Sequence, residues 1–227
     1  RIRLRPLGAV AALLFDAMVG EEPGDPLAMP SDGTSYLKAA RSGRKPARIA
    51  ISRDLGLPPV DPEVAEIVIK AARRFAEAGV AIEEAHPDLR QTRDCAPVLR
   101  ALSYANMRPL LDSHRALLKP EVVWNIEKGL ALTGAEIAEA QRGQLFARMA
   151  EFFTTYDLLL CPTTIVPPFP IEQRYVAECD GVKFESYVDW LTIVHAITLC
   201  CCPAISIPCG FTAAGLPVGL QIVAPCR

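Results

Sequence analysis

Apolar and polar positions alternate in blocks along this chain, and the blocks have the lengths of helices and strands. Residues 7–19 are mostly apolar and end at Gly20, which predicts a short helix with a glycine stop. Residues 21–46 carry Pro26, Pro30, Gly33 and Gly43 and read as a long connection. Arg48-Ile49-Ala50-Ile51 predicts a short strand, and a helix starts after Asp61. There Asp61 can cap, Pro62 suits the first helical position, and Glu63 favours the positive end of the dipole. Its predicted inward face is Val64, Ile67 or Val68, Ala71, Phe75 and Ala78, closed by Gly79. Val80-Ala81-Ile82 resumes as a strand, and helix followed by parallel strand is the habit of α/β proteins.

The second half continues the pattern. Residues 95–118 predict helix, and Thr133-Gly134-Ala135-Glu136 is a capping box that opens another. Ile137, Ala140, Leu145, Met149 and Phe152 give that helix an apolar face. It leads into Tyr156-Asp157-Leu158-Leu159-Leu160-Cys161-Pro162, whose continuous apolarity predicts an internal strand. Residues 184–198 predict a helix packed through Val188, Leu191 and Val194, with His195 as a core or near-core imidazole on the same face. Pro203–Pro208 and Val218–Val223 then read as two buried strands joined by a turn.

Composition narrows the partners. Of 227 residues, 51% are hydrophobic and 22% charged, and 24 basic against 26 acidic side chains leave a net charge of −2. That balance predicts no direct nucleic-acid partner, and the short cluster Arg41, Arg44, Lys45, Arg48 reads as a solvated loop. No apolar run reaches the roughly 20 residues of a membrane span, so no membrane partner and a cytoplasmic location are expected. The charged start Arg1-Ile2-Arg3-Leu4-Arg5-Pro6 fits a signal peptide poorly because Asp16 and an acidic segment follow. The first residue is Arg1 and not Met, which suggests a longer reading frame. The eight cysteines include no Cys-x-x-Cys pair and read as buried reduced thiols, with no metal site.

Candidate chemistry is sparse. His86, His114 and His195 lack metal-ligand spacing, and the chain has no nucleophile elbow, P-loop or dinucleotide-binding glycine pattern. Ser35-Tyr36-Leu37-Lys38 matches Ser-x-x-Lys but lies in a loop-rich segment without a companion motif, and reads as coincidence. Asp189, before Trp190-Leu191-Thr192, is a carboxylate in an apolar segment that needs a donor, and Arg142 is a side chain able to supply one or to grip a substrate. The alternative for this pair is a structural ion pair or two separate surface charges. Tyr156-Asp157 reads as a strand entry. Thr163, Thr164 and Pro167 follow a strand end, where α/β proteins place ligand-binding loops.

Several of these segments together resemble the amidase signature family. Residues 210–223, the Tyr156–Thr163 strand, Pro203–Pro208, Asp61-Pro62-Glu63-Val64 and the helix Ala11–Gly20 match its motifs in order. The resemblance implies an α/β fold, a mixed β-sheet core covered by helices, and hydrolysis of carboxamides to carboxylate plus ammonia or amine through a serine acyl-enzyme. It implies a small-molecule amide substrate and no cofactor. The family's nucleophilic serine, bridging cis serine and lysine belong to a Gly/Ser-rich half with no counterpart here, so no catalytic residue is assigned. Arg5–Val10 is shortened against the family pattern, and Leu199-Cys200-Cys201-Cys202 departs from it, either narrowing an acyl pocket or filling a cavity. Arg142, within Ala140-Gln141-Arg142, and Asp189 fall on positions tied to substrate recognition in the amidotransferase-like branch.

The expectation is therefore a partial amidase-signature fold, with residues 1–227 the C-terminal portion of a single domain. Such a chain would be inactive alone and prone to self-association through an exposed sheet edge. The alternatives are a catalytically inactive truncated remnant and a component like the amidase-type subunit of an amidotransferase.

Overall fold

The computed structural model describes residues 5–25, 33–43, 45–57, 59–140 and 142–226. The charged start at residues 1–4, Pro26 and Pro30 of the connection, Arg44 of the basic cluster and Gln141 before Arg142 lie outside the described residues. The chain divides into two compact units, residues 1–45 and 46–227.

The first unit holds helices α1 (Arg5–Met18) and α2 (Tyr36–Arg41). The expected helix is there, and α2 lies inside the expected connection. Ser35 caps α2 by accepting from Lys38 N–H, while its hydroxyl donates to Asp16 at 2.9 Å. The Asp16 carboxylate also accepts from the Tyr36 and Leu37 N–H groups. The Ser-x-x-Lys match is thus a helix start.

In the second unit a five-stranded sheet runs in the order β2 (Ala81–Glu84), β1 (Arg48–Ile51), β3 (Leu158–Pro162), β7 (Pro217–Val223), β6 (Ala204–Phe211). Strands β2, β1 and β3 are parallel, β7 is antiparallel to β3, and β6 is antiparallel to β7. A separate ribbon pairs β4 (Glu178–Cys179) with β5 (Val182–Lys183). The helices are α3 (Pro62–Arg73), α4 (Thr92–Ala105), α5 (Arg108–His114), α6 (Pro120–Ala131), α7 (Gly134–Glu139), α8 (Arg142–Phe152) and α9 (Thr192–Leu199).

Local chemistry explains most boundaries. Asp61 Oδ1 accepts from the Glu63 and Val64 N–H groups, as the cap predicted. The buried face of α3 is Val64, Ala65, Val68, Ile69 and Ala72. Ala71, inside α3, is only half-buried, and Ala78 is exposed because α3 ends at Arg73 and a short 3₁₀ turn follows to Gly79. The Thr133–Glu136 capping box forms with both reciprocal bonds. However, the chain breaks near Ala140, so Ile137 stays exposed while Leu145 and Met149 of α8 are fully buried. Helices α4 and α6 approach so closely that a Cβ on Gly129 would collide with the Ala101 carbonyl oxygen.

Strand β3 is the centre of the core: Leu159, Leu160 and Cys161 are all 0% exposed. Asp157 marks its entry by accepting from the Ala47 and Arg48 N–H groups. Only one strand of the C-terminal hairpin is buried as expected. β7 lies inside the sheet, but β6 has a neighbour on one side only and is largely exposed, with Ile205 at 43% and Phe211 at 61%. Pro208 and a bulge at Cys209 fit an edge strand, where a missing N–H is tolerated.

The partial fold expected from the sequence is corrected over these residues. The sheet is covered by helices, and a continuous apolar cluster runs from β1 and α3 through β3 to α8 and α9. Among the described residues no helix is long and apolar enough to cross a membrane.

Candidate functional site

Asp189 opens a single 3₁₀ turn, Asp189–Leu191, that leads into α9. Its carboxylate accepts from the Ser186 N–H and from the Ser186 hydroxyl, both at 2.8 Å, while its carbonyl accepts from Thr192 Oγ1 at 2.7 Å. A carboxylate reaching back to the N–H three residues earlier is the second half of a capping box. The donor that sequence reasoning sought in an arginine is therefore Ser186, and the Ser-x-x-Asp spacing was the signal for it. The segment is held from behind: Arg100 donates to the Tyr187 hydroxyl at 3.0 Å and lies over the rings of Tyr104 and Tyr187. Asn125 Nδ2 also donates to that hydroxyl.

Asp189 borders a cavity of about 330 Å³ together with Thr92, Arg93, Lys183, Thr192 and His195. Thr92 is 0% exposed and its Oγ1 has no hydrogen-bond partner. Burial, and secondarily the charge of Arg100, hold the His195 pKa below its ordinary value of 6.5. The imidazole is neutral at pH 7, able to donate from one nitrogen and accept at the other. Arg142 is exposed in the first turn of α8, lines neither this cavity nor the groove described next, and forms no ion pair with Asp189. The two residues singled out together from the sequence are not brought together.

A second concavity, about 480 Å³, opens where β3, β6 and β7 meet. Thr163 Oγ1 and Ser206 Oγ are 2.7 Å apart. Beneath them Gly219 has no room for a side chain, since an added Cβ would lie 2.8 Å from Thr163 Oγ1 and 2.9 Å from Ser206 Oγ. One wall is Phe169 edge-to-face with Trp190, ring centroids 5.8 Å apart and planes at 82°. The remaining lining is mostly proline, valine and threonine, and no charged side chain takes part. The loop after β3 was legible as a binding loop through Thr163, Thr164 and Pro167. Ser206, Gly219, Phe169 and Trp190 were missed; the available signals were a lone serine and an interior glycine in apolar strands.

The cysteines supply no thiolate at the core. Burial pushes Cys161 and Cys200 up to about 12 and Cys179, Cys202 and Cys209 to about 11, so these thiols stay protonated at neutral pH. Cys201 and Cys226 are exposed, against the expectation of burial. Among the described residues no three His, Cys, Asp or Glu side chains gather to hold a metal ion.

The family model described as Amidase matches residues 9–227, and the chain belongs to that family. It is 34% identical over 219 residues to an acylamidase of Rhodococcus erythropolis, covering 94% of this chain and 46% of the relative. It is 27% identical over 243 residues to the A-type subunit of a glutamyl-tRNA(Gln) amidotransferase from a Picosynechococcus species, covering 93% of this chain and 49% of the relative. A bacterial aryl acylamidase of the amidase signature enzymes shares its fold with a TM-score of 0.83 at 23% identity, over 94% of this chain and 47% of that one. The chain spans about half the length of the relatives it matches.

These findings overturn three linked expectations. Residues 1–227 were expected to be only the C-terminal remnant of the family domain, whereas the family model matches nearly the whole chain, residues 9–227. The fold is not partial over the chain, because 94% of it superposes, covering helices included. The expectation of an inactive chain, which rested on the Gly/Ser-rich half having no counterpart here, is overturned by the family match over residues 9–227 and the 34% identity to an acylamidase.

Proposed function

We propose that the protein hydrolyses carboxamides to a carboxylate and ammonia or an amine. The observation that carries this reading is the family match over residues 9–227. The 34% identity to an acylamidase supports it. In the chemistry that the resemblance implies, a serine attacks the amide carbonyl, backbone N–H groups stabilise the oxyanion, and water releases the acyl group. Asp189 is the proposed contact for a polar group of the substrate: it faces a cavity, and Ser186 holds its carboxylate in place from one side. Arg142 is proposed as a second contact at the surface and is to be tested beside it.

The test is release of ammonia or amine from acetamide, benzamide, acetanilide and glutamine. Turnover of the simple amides is expected, with Asp189→Asn raising KM at least fivefold and Arg142→Ala raising it about twofold. No release from any substrate would sink the proposal. A second reading, a component like the amidase-type subunit of an amidotransferase, is favoured by the 27% identity to such a protein, and turnover of glutamine alone would select it.

A further inference from the structure

The run Cys200-Cys201-Cys202 and the distant Cys226 meet at the open end of the β6–β7 hairpin. The two strands pair antiparallel with Ala204 opposite Val223, and beyond that pair the Ala224 N–H donates to the Pro203 carbonyl at 3.0 Å. Two residues further on, the Cys226 thiol donates to the Cys201 carbonyl at 2.9 Å. The pairing therefore continues past both strand ends and brings Cys226 against Cys201. Residues that face each other across antiparallel chains have Cα atoms about 4.5–5.5 Å apart, inside the span of about 4.4–6.8 Å that a disulfide bridges.

Exposure and backbone single out this pair among the four thiols. Cys201 and Cys226 are exposed, Cys202 is partly buried and Cys200 is buried. Burial, with the nearby Cys226 and Cys201 second, pushes the Cys202 thiol up to about 11, and burial pushes Cys200 up to about 12. Both stay protonated at neutral pH, whereas thiol–disulfide exchange needs an accessible thiolate. Cys200 is the C-cap of α9, and Cys201 follows it with φ of +54°, a left-handed conformation that favours glycine after a helix. The Cys201 N–H still closes the turn, donating to the Thr198 carbonyl at 3.1 Å. A side chain kept where the backbone prefers none calls for a role.

We propose that Cys201 and Cys226 form a thiol–disulfide exchange site that takes a low-molecular-weight disulfide and closes to an internal Cys201–Cys226 bond. The Cys226 thiolate attacks one sulfur of the small disulfide, whose S–S bond breaks and releases one small thiol. The Cys201 thiolate then attacks the Cys226 sulfur of the mixed disulfide and expels the second. The two cysteines give up two protons and two electrons, and the small disulfide leaves as two thiols. The new bond ties the C-terminal end of α9 to the segment after β7. It draws on no residue of the two cavities, so it stands apart from the amidase reading.

The reduced protein is treated with oxidised glutathione at pH 8, alkylated in urea and mapped by mass spectrometry without reduction. The expected product is a monomer with Cys201 joined to Cys226 and the other cysteines alkylated. Cys202→Ser should keep the bond, while Cys226→Ser and Cys201→Gly should abolish it. The glycine variant suits the left-handed backbone, so loss of the bond there is not loss of the fold. Oxidation should raise the thermal midpoint by about 5 °C in the unaltered protein, reversibly with dithiothreitol, and leave Cys226→Ser unmoved. Glutathione left on Cys226 without an internal bond, a Cys202–Cys226 bond, a disulfide between two molecules, or no reaction would each overturn the proposal.

Discussion

Asp189 and Trp190 are neighbours in one short turn, yet they line cavities of opposite character. The cavity at Asp189 gathers Arg93, Lys183, Glu185 and His195, whereas the groove at Trp190 has no charged side chain in its lining. The first is organised by local hydrogen bonds: Ser186, Asp189 and Thr192 lie within six residues of one another. The second is organised by long-range convergence, with Thr163 and Ser206 in contact across 43 positions. Locally organised sites survive the loss of one bond at small cost. A site held by close approach of three strands depends on a single missing Cβ.

That contrast sets the sizes of the expected effects. Gly219→Val places carbon inside the hydroxyl pair of the groove and should destabilise the protein by about 2–3 kcal/mol. Urea unfolding measures it, and a variant as stable as the parent would show that the strands yield more readily than their packing implies. Ser186→Ala removes one of the two bonds to the Asp189 carboxylate and leaves the N–H in place, for about 1 kcal/mol. A loss as large as that of Gly219→Val would erase the distinction drawn between the two sites.

The smallest effect concerns pH. His195 has a folded pKa below its ordinary 6.5, so between those two values the unfolded chain binds more protons than the folded one. Stability is then full above pH 6.5 and falls as pH drops from 6.5 towards the lowered value. Urea midpoints at pH 7.5 and 5.5 should differ less in His195→Gln than in the parent. An unchanged difference would place the pH response elsewhere.

Much of the framework was legible before any coordinates. β1, β3 and the start of α3 follow from short apolar runs and from Asp61-Pro62-Glu63, because strand burial and helix capping are decided within a few residues. The capping box at Thr133 was equally legible, but the break near Ala140 was not, since the apolar periodicity runs on in sequence from α7, which buries no residue, into α8, which buries Leu145 and Met149. The site was read less well. Asp189 does border a cavity, but Arg142, read as its donor or as a grip on substrate, stands apart from it, and Ser186 was the nearer partner. Phe169, Ser206 and Gly219 each look ordinary in their own segments.

The sequence by itself determined most of the sheet strands, the start of α3, the α/β class and the family, because capping residues, strand-length apolar runs and ordered motifs are local or linear properties. Tertiary structure alone decided that β6 is an exposed edge and that the Thr163 and Ser206 hydroxyls meet above Gly219. It also decided that Arg142 stands apart from Asp189. The physical reason is range: hydrogen bonds within a turn are written in neighbouring residues. Contact among residues 163, 206 and 219 exists only once β3, β7 and β6 have paired in register.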